Sequence, residues 1–321
     1  MTMSDPYCLR HRRQRATVDA DQAEFDAFIK GSTVVDAGVY DDRVAGALDD
    51  YTPVEDSSIT ADWQLQDLET EAAVGSVHEE LYRRQELMGE TYPFELDGGQ
   101  LNYNPDKSNI VYEFCLAICN SPPITAEPYN ELPKNFERLT ADLIKAYFGC
   151  LSEALHTGWP RDKNVGIRFR EAMESLDSAA GEWAWSPEDD LPRDPLPCYT
   201  KDEGVDFIVW KRSPDNRLWG QLFVLGQCAC GNNWDTKLDE PNLRTLSKWF
   251  RRLPLVKPIK VFLTPHHIVD AKLKETTRDY GGTVFDRSRL ALIASQVENL
   301  DVLNQWSDAL EGLINLVKEA A

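Results

Sequence analysis

Lys201–Lys237 reads KDEGVDFIVWKRSPDNRLWGQLFVLGQCACGNNWDTK, and the fold turns on this stretch. Two apolar runs, Phe207-Ile208-Val209-Trp210 and Leu222-Phe223-Val224-Leu225, carry almost no charge. Between them Ser213-Pro214-Asp215-Asn216-Arg217 is a turn, with Pro fixing φ and Asp and Asn tolerating tight backbone geometry. The stretch is therefore a β-hairpin. It has an acid, Asp206, at the entry of one arm and a polar group, Gln227, at the exit of the other. Alternation along the second arm puts Gln221, Phe223, Leu225, Gln227 and Ala229 on one face.

Working outward, residues 135–149 form a helix opened by Pro133 and Asn135 and closed by Gly149. Phe136, Leu139, Leu143 and Tyr147 recur at helical spacing. Residues 165–180 are a second helix, and residues 181–199 an acidic, Pro-rich loop. After the hairpin, residues 243–252 read as a basic amphipathic helix, 259–264 as a buried strand and 269–280 as a polar helix. A strand over 283–285 and helices over 286–295 and 300–319 complete the chain. This alternation favours a mixed sheet flanked by helices, an α/β class. On the N-terminal side, residues 62–88 read as a long helix, 91–104 as a hairpin around Asp97-Gly98-Gly99, and 109–119 as an apolar helix. Residues 1–60 read as loosely structured apart from a short helix over 21–29. Four prolines between Pro122 and Pro133 mark a linker. The expected division is a mostly helical, acidic domain over 1–130 and an α/β domain over 131–321.

Charge supports that division. The chain of 321 residues carries a formal net charge of −20. Up to Leu132 there are 9 Lys and Arg against 26 Asp and Glu, whereas from Glu240 to Arg289 there are 11 against 5. An anionic half repels nucleic acid and suits a protein partner or a regulatory role; a basic segment attracts phosphate. No apolar run approaches the ~20 residues of a membrane span, so no membrane partner is expected. The seven cysteines are an odd number at irregular spacings, which points to reduced thiols and a cytoplasmic setting. No Walker A, Gly-x-Ser-x-Gly or His-Glu-x-x-His motif occurs, so nucleotide hydrolysis and serine or zinc hydrolysis lack support.

Taken in order, Phe136-Glu137-Arg138-Leu139 on a helix, Gly204-Val205-Asp206 at a strand start and Gln227-Cys228-Ala229 at the end of the next strand resemble the PD-(D/E)XK, or restriction-endonuclease-like, superfamily. The resemblance covers about Pro133 to Ser295. It implies a metal-dependent nuclease, with Glu137, Asp206 and Gln227 as ligands of Mg²⁺ (or Mn²⁺) and DNA as substrate. It also implies a setting such as a bacterial anti-phage system, beside a helicase or sensor subunit. The chain departs from the pattern at Ala229, where the superfamily carries Lys; Lys237 stands in as the relocated ammonium. The chemistry suits those residue types, because a divalent ion held by oxygen ligands neutralises a scissile phosphate and acidifies an attacking water.

Each residue also has a plainer reading. Asp206 is a strand-entry residue, Glu137 a first-turn acid favoured by the helix dipole, Gln227 a hydrogen-bonded amide, and Lys237 a solvated lysine. Arg244, Lys248, Arg251 and Arg252 form one basic helical face, and Arg287 and Arg289 a second basic pair, for phosphate contacts or for solvent. His266-His267 is read as a surface pair, and Glu188-Asp189-Asp190 as a solvated loop rather than a set of catalytic acids. The non-enzymatic alternative is a degenerate nuclease-like subunit acting as a scaffold or nucleic-acid sensor.

Overall fold

The computed structural model describes residues 6–35, 59–161, 165–166, 168–185, 203–215, 217–247, 249–296 and 300–321. They fall into two compact units, Met1–Asn109 and Ile110–Ala321. The division lies earlier than the Pro-rich stretch near residue 130, because the helix α3 (Ile110–Asn120) packs on two helices of the second unit. Eight of its eleven residues, from Val111 to Ile118, are buried, so an apolar helix that reads as the close of the first domain belongs to the core of the second.

The first unit pairs α1 (Pro6–Lys30) with α2 (Ile59–Met88) and adds an antiparallel sheet of β1 (Ser32–Val34), β3 (Gln100–Tyr103) and β2 (Phe94–Asp97). The helix α1 is longer than the 21–29 segment its apolar spacing suggests. Residues 36–58 lie outside the described residues. Between the helices, the fully buried guanidinium of Arg84 meets Asp21 at 2.7 Å, Glu24 at 2.9 Å and Glu80 at 3.2 Å. Tyr92 donates its hydroxyl to Glu24 at 2.5 Å. Three carboxylates are tolerable in this interior because one fork-shaped cation and a phenol satisfy them together.

The second unit is built on a five-stranded mixed sheet with spatial order β10-β9-β7-β6-β4. The strands are β4 (Ser152–His156), β6 (Phe207–Lys211), β7 (Leu222–Cys228), β9 (Ile259–Leu263) and β10 (Thr283–Phe285). The first three pair antiparallel, as the hairpin reading requires; β7–β9 and β9–β10 are parallel. Edge strand β4 was not legible in the sequence. Its residues SEALH are short and mixed in polarity, and only pairing with β6 holds them extended.

Helix α4 (Glu131–Phe148) lies on one face of this sheet. It buries Leu132, Phe136, Leu139, Leu143 and Ile144, and ends at Gly149 with φ of 78°. The opposite face carries α5 (Phe169–Ala180) and a ribbon of β5 (Ala184–Trp185) with β8 (Phe250–Arg252). There Trp183, Trp210, Phe223, Leu225, Trp249 and Phe250 form one core cluster. The buried carboxylate of Glu182 joins these layers by accepting from the backbone N–H of Gln221 and of Leu255. Helices α7 (Asp270–Tyr280), α8 (Arg287–Gln296) and α9 (Leu300–Lys318) complete the unit.

The basic segment over 243–252 is not one helix. A short helix α6 (Leu243–Ser247) gives way to β8 (Phe250–Arg252). Burial of Trp249 and Phe250 against the sheet's aromatic layer overrides the helical spacing of the arginines.

One prediction tests the charged interior of the first unit. Arg84→Met removes the cation shared by buried Asp21 and Glu24, while Glu80 keeps Arg83 at 2.7 Å, at a cost of about 3–5 kcal/mol. Amides of α2 between Val77 and Met88 should then exchange with deuterium roughly 10²- to 10⁴-fold faster by native-state hydrogen exchange.

Candidate functional site at the open end of the sheet

Antiparallel pairing fixes which chain positions meet. His156 is opposite Phe207, and Phe207 is opposite Gly226. The end of β4, the entry to β6 and the end of β7 therefore lie side by side. Asp206 is the junction. Its N–H donates to the Gly226 carbonyl at 2.8 Å. Its own carbonyl accepts from the N–H groups of Thr157 and Gly158, both at 2.8 Å. Its Oδ2 accepts from the Cys228 N–H at 2.6 Å. Thr157 adds a hydroxyl bond to the Val205 carbonyl at 2.5 Å. Gly204 precedes this junction at φ of 71°, and a Cβ there would collide with Glu240. The Gly-x-Asp spacing thus has a backbone cause.

Glu137 reaches the same place from α4. A Cβ on Gly158 would sit 2.5 Å from Glu137 Oε2 and 3.4 Å from the Asp206 carbonyl. The Glu137 carboxylate is therefore seated on the glycine, beside the Asp206 backbone. His156 Nε2 is 3.3 Å from the same Oε2. The side chains of Glu137 and His156 are 19% and 10% exposed, so the pair lies at the rim of the unit rather than within its core.

Gln227 is 4% exposed. Strand alternation puts it on the face of Phe223 and Leu225, opposite to the α4 face where Cys228 Sγ meets Thr140 Oγ1 at 3.3 Å. Its Nε2 donates to the Cys228 carbonyl, while its Oε1 is buried with no protein donor.

The thiols register the two acids. Burial pushes Cys228 well above its ordinary pKa, and the Asp206 and Glu137 carboxylates push it further. Cys230 is raised likewise, by burial first, then by Glu137, Cys115, Cys119 and Asp206. Tyr280 is raised by burial, then by Cys228 and Asp206. These groups stay protonated at neutral pH, and both negative charges act at one end of the sheet.

Among the described residues, no three His, Cys, Asp or Glu side chains are grouped to hold a metal ion. The donor set is two carboxylates, with one unpaired amide oxygen nearby on the other face. That fits Mg²⁺, which is held through one or two carboxylates and keeps several waters, better than it fits a dedicated all-protein cage.

Other expected residues fall elsewhere. Lys237 is exposed in a 3₁₀ turn over Trp234–Lys237, and Ala229 is buried. Arg287, expected to contact phosphate, is fully buried; its Nε donates to the Pro265 carbonyl and its guanidinium lies over the Tyr112 ring. Arg289 is exposed and donates to the Val284 carbonyl at 2.6 Å. The single basic helical face does not exist. Arg244 is exposed on α6, whereas Arg251 and Arg252 belong to the strand β8. Arg252 lies over the Trp219 ring. Lys248 and the run Glu188-Asp189-Asp190 lie outside the described residues. The histidine pair is not a surface pair either. His267 is buried and bonded to Ser288 Oγ at 2.9 Å, and His266 is in contact with Cys119 Sγ at 3.4 Å.

His156 was missed by the sequence reading. No motif spacing marks it; only strand pairing brings it to Glu137.

No protein-family model matches the chain, and no curated protein matches it. Among solved structures, restriction endonuclease FokI is similar at 12% identity and a TM-score of 0.21. The match covers 95% of this chain and 47% of the FokI chain, so this chain spans about half the length of that protein. A likeness this slight carries no argument, and the reading of the site rests on its own geometry.

Asp206 is as much a structural group as a chemical one. Asp206→Ala strands the buried Cys228 N–H and should cost about 1–3 kcal/mol in urea denaturation. Asp206→Asn keeps an acceptor oxygen and should stay within about 1 kcal/mol of the parent, which makes it the cleaner variant for activity measurements.

Proposed function

We propose that the second unit is a metal-dependent nuclease acting on DNA, with Glu137 and Asp206 holding Mg²⁺ or Mn²⁺ at the open end of the sheet. The observation that carries this reading is the seat of the Glu137 carboxylate on Gly158, against the backbone of Asp206. Two acids distant in sequence stand at one end of the sheet, Asp206 buried and Glu137 nearer the solvent. A phosphodiester approaching them meets like charge, so it docks only with a cation between. Bound there, the divalent ion supplies Lewis-acid charge and a more acidic water.

The chain's own groups bind and orient. Asp206, locked by the Cys228 N–H, offers a fixed carboxylate; Glu137 offers a second from the helix. Arg244, exposed near the start of the basic segment, contributes to backbone-phosphate attraction without reading sequence. The anionic first unit, unsuited to DNA, docks a protein partner such as a helicase or sensor subunit.

A second reading is favoured by the buried alanine at position 229 and the exposed, separate Lys237. Without an ammonium at the site the unit binds nucleic acid, or assembles with a partner, and does not cut.

The experiment incubates supercoiled plasmid with the full chain and Mg²⁺ or Mn²⁺. Cleavage should be abolished by chelator and fall at least ~10²-fold in Glu137→Gln and Asp206→Asn, in line with the loss of charge stabilisation at a reacting centre. Lys237→Ala should change it less than about 2-fold, since a solvated surface lysine contributes little. Metal-dependent cleavage that survives in both acid variants rejects the nuclease site.

A further inference from the structure

We propose that His156 is a positioning residue of this site, holding the Glu137 carboxylate in the geometry that receives the divalent cation. The inference rests on the nuclease reading above and adds a residue that reading does not use. A carboxylate only accepts, so at 3.3 Å the Nε2 of His156 carries the hydrogen and donates it to Glu137 Oε2.

Three features then restrain one oxygen. The imidazole lies beside it. Gly158 lies beneath it, where a Cβ would come within 2.5 Å of Oε2 and 3.1 Å of His156 Nε2. The turn that carries both residues is tied down by the N–H groups of Thr157 and Gly158 on the Asp206 carbonyl. A glutamate has three side-chain torsions, and a helix alone does not fix their ends. Restraining Oε2 restrains the other oxygen as well, so the carboxylate is ordered before a cation arrives.

A pair kept only for packing would not require so close a seat, because the Glu137 side chain, 19% exposed, lies at the rim, where water can satisfy its carboxylate. The close seat costs side-chain freedom, and it is explained if the carboxylate has to stay next to Asp206. Outer partners of metal ligands typically change metal affinity by about 10- to 100-fold when removed.

The test titrates Mn²⁺ into the metal-free full chain by calorimetry and by the loss of the free-ion paramagnetic resonance signal, with thermal melting of each metal-free variant alongside. His156→Leu removes the donor at similar volume and should weaken Mn²⁺ binding about 10- to 100-fold. His156→Gln restores an N–H near the Nε2 position and should recover binding to within about 3-fold of the parent, as a donor-based role requires. A His156→Leu protein that melts lower yet binds Mn²⁺ like the parent overturns the positioning role, provided Asp206→Asn binds weakly; the nuclease reading then stands. A parent that binds no Mn²⁺, or an Asp206→Asn that binds as tightly as the parent, overturns the nuclease reading and this inference with it. Should His156→Leu not fold, Gly158→Ala decides. It keeps the imidazole and displaces chiefly the carboxylate, the added Cβ falling 2.5 Å from Glu137 Oε2 against 3.1 Å from His156 Nε2, and parent-like Mn²⁺ affinity in that variant also overturns the proposal.

Discussion

The second unit depends on one buried residue, at the entry to β6, that bonds to β7 and to the turn after β4. Asp206 joins β7 through its N–H and its carboxylate, and the end of β4 through its carbonyl. A carboxylate at 6% exposure is costly unless it is well solvated by protein. Here a backbone N–H at 2.6 Å supplies part of that solvation, and the amide is one that the sheet ladder leaves over where β7 ends. The same bond terminates the hairpin, fixes the register at the open end and orients the acid. Structure and proposed chemistry therefore share one group, and a substitution that removes the acceptor disturbs both.

Buried carboxylates are used this way elsewhere in the unit. Glu182 accepts from two backbone N–H groups and joins the aromatic ribbon to the sheet. Asp286 caps α8 by accepting from the Arg289 N–H, and also accepts from the Ile268 N–H. Arg287 beside it is buried on the Pro265 carbonyl and the Tyr112 ring. Glu137 differs from this set. It is seated beside an imidazole in the space left by a glycine, and it lies nearer the solvent.

The two faces of the sheet have different roles. Aromatic residues fill the face under α5 and the β5–β8 ribbon, while α4 brings polar groups, Glu137 and Thr140, down upon the end of the other. That separation explains why Gln227, expected to join Glu137 and Asp206, approaches from the opposite side. It also explains why the basic residues after Asn242 do not share one helix: two of their neighbours, Trp249 and Phe250, are recruited to the aromatic layer.

The amino-acid pattern alone determined the central hairpin, the close of α4 at Gly149, the strands β9 and β10, and the acids Glu137 and Asp206 as candidates; α4 itself opens at Glu131, with Pro133 inside its first turn. These features follow from local rules: alternation, helical spacing, the backbone freedom of Gly and the fixed φ of Pro. Tertiary structure decided what local rules do not encode. Edge strand β4 exists only through its bonds to β6, the apolar α3 joins the unit whose helices cover it, and Arg287 is drawn inward by carbonyls and a ring supplied from distant segments. His156 meets Glu137 because two antiparallel pairings set their registers. A contact between residues on separate elements is fixed by the packing of the whole sheet, and no spacing along the chain records it.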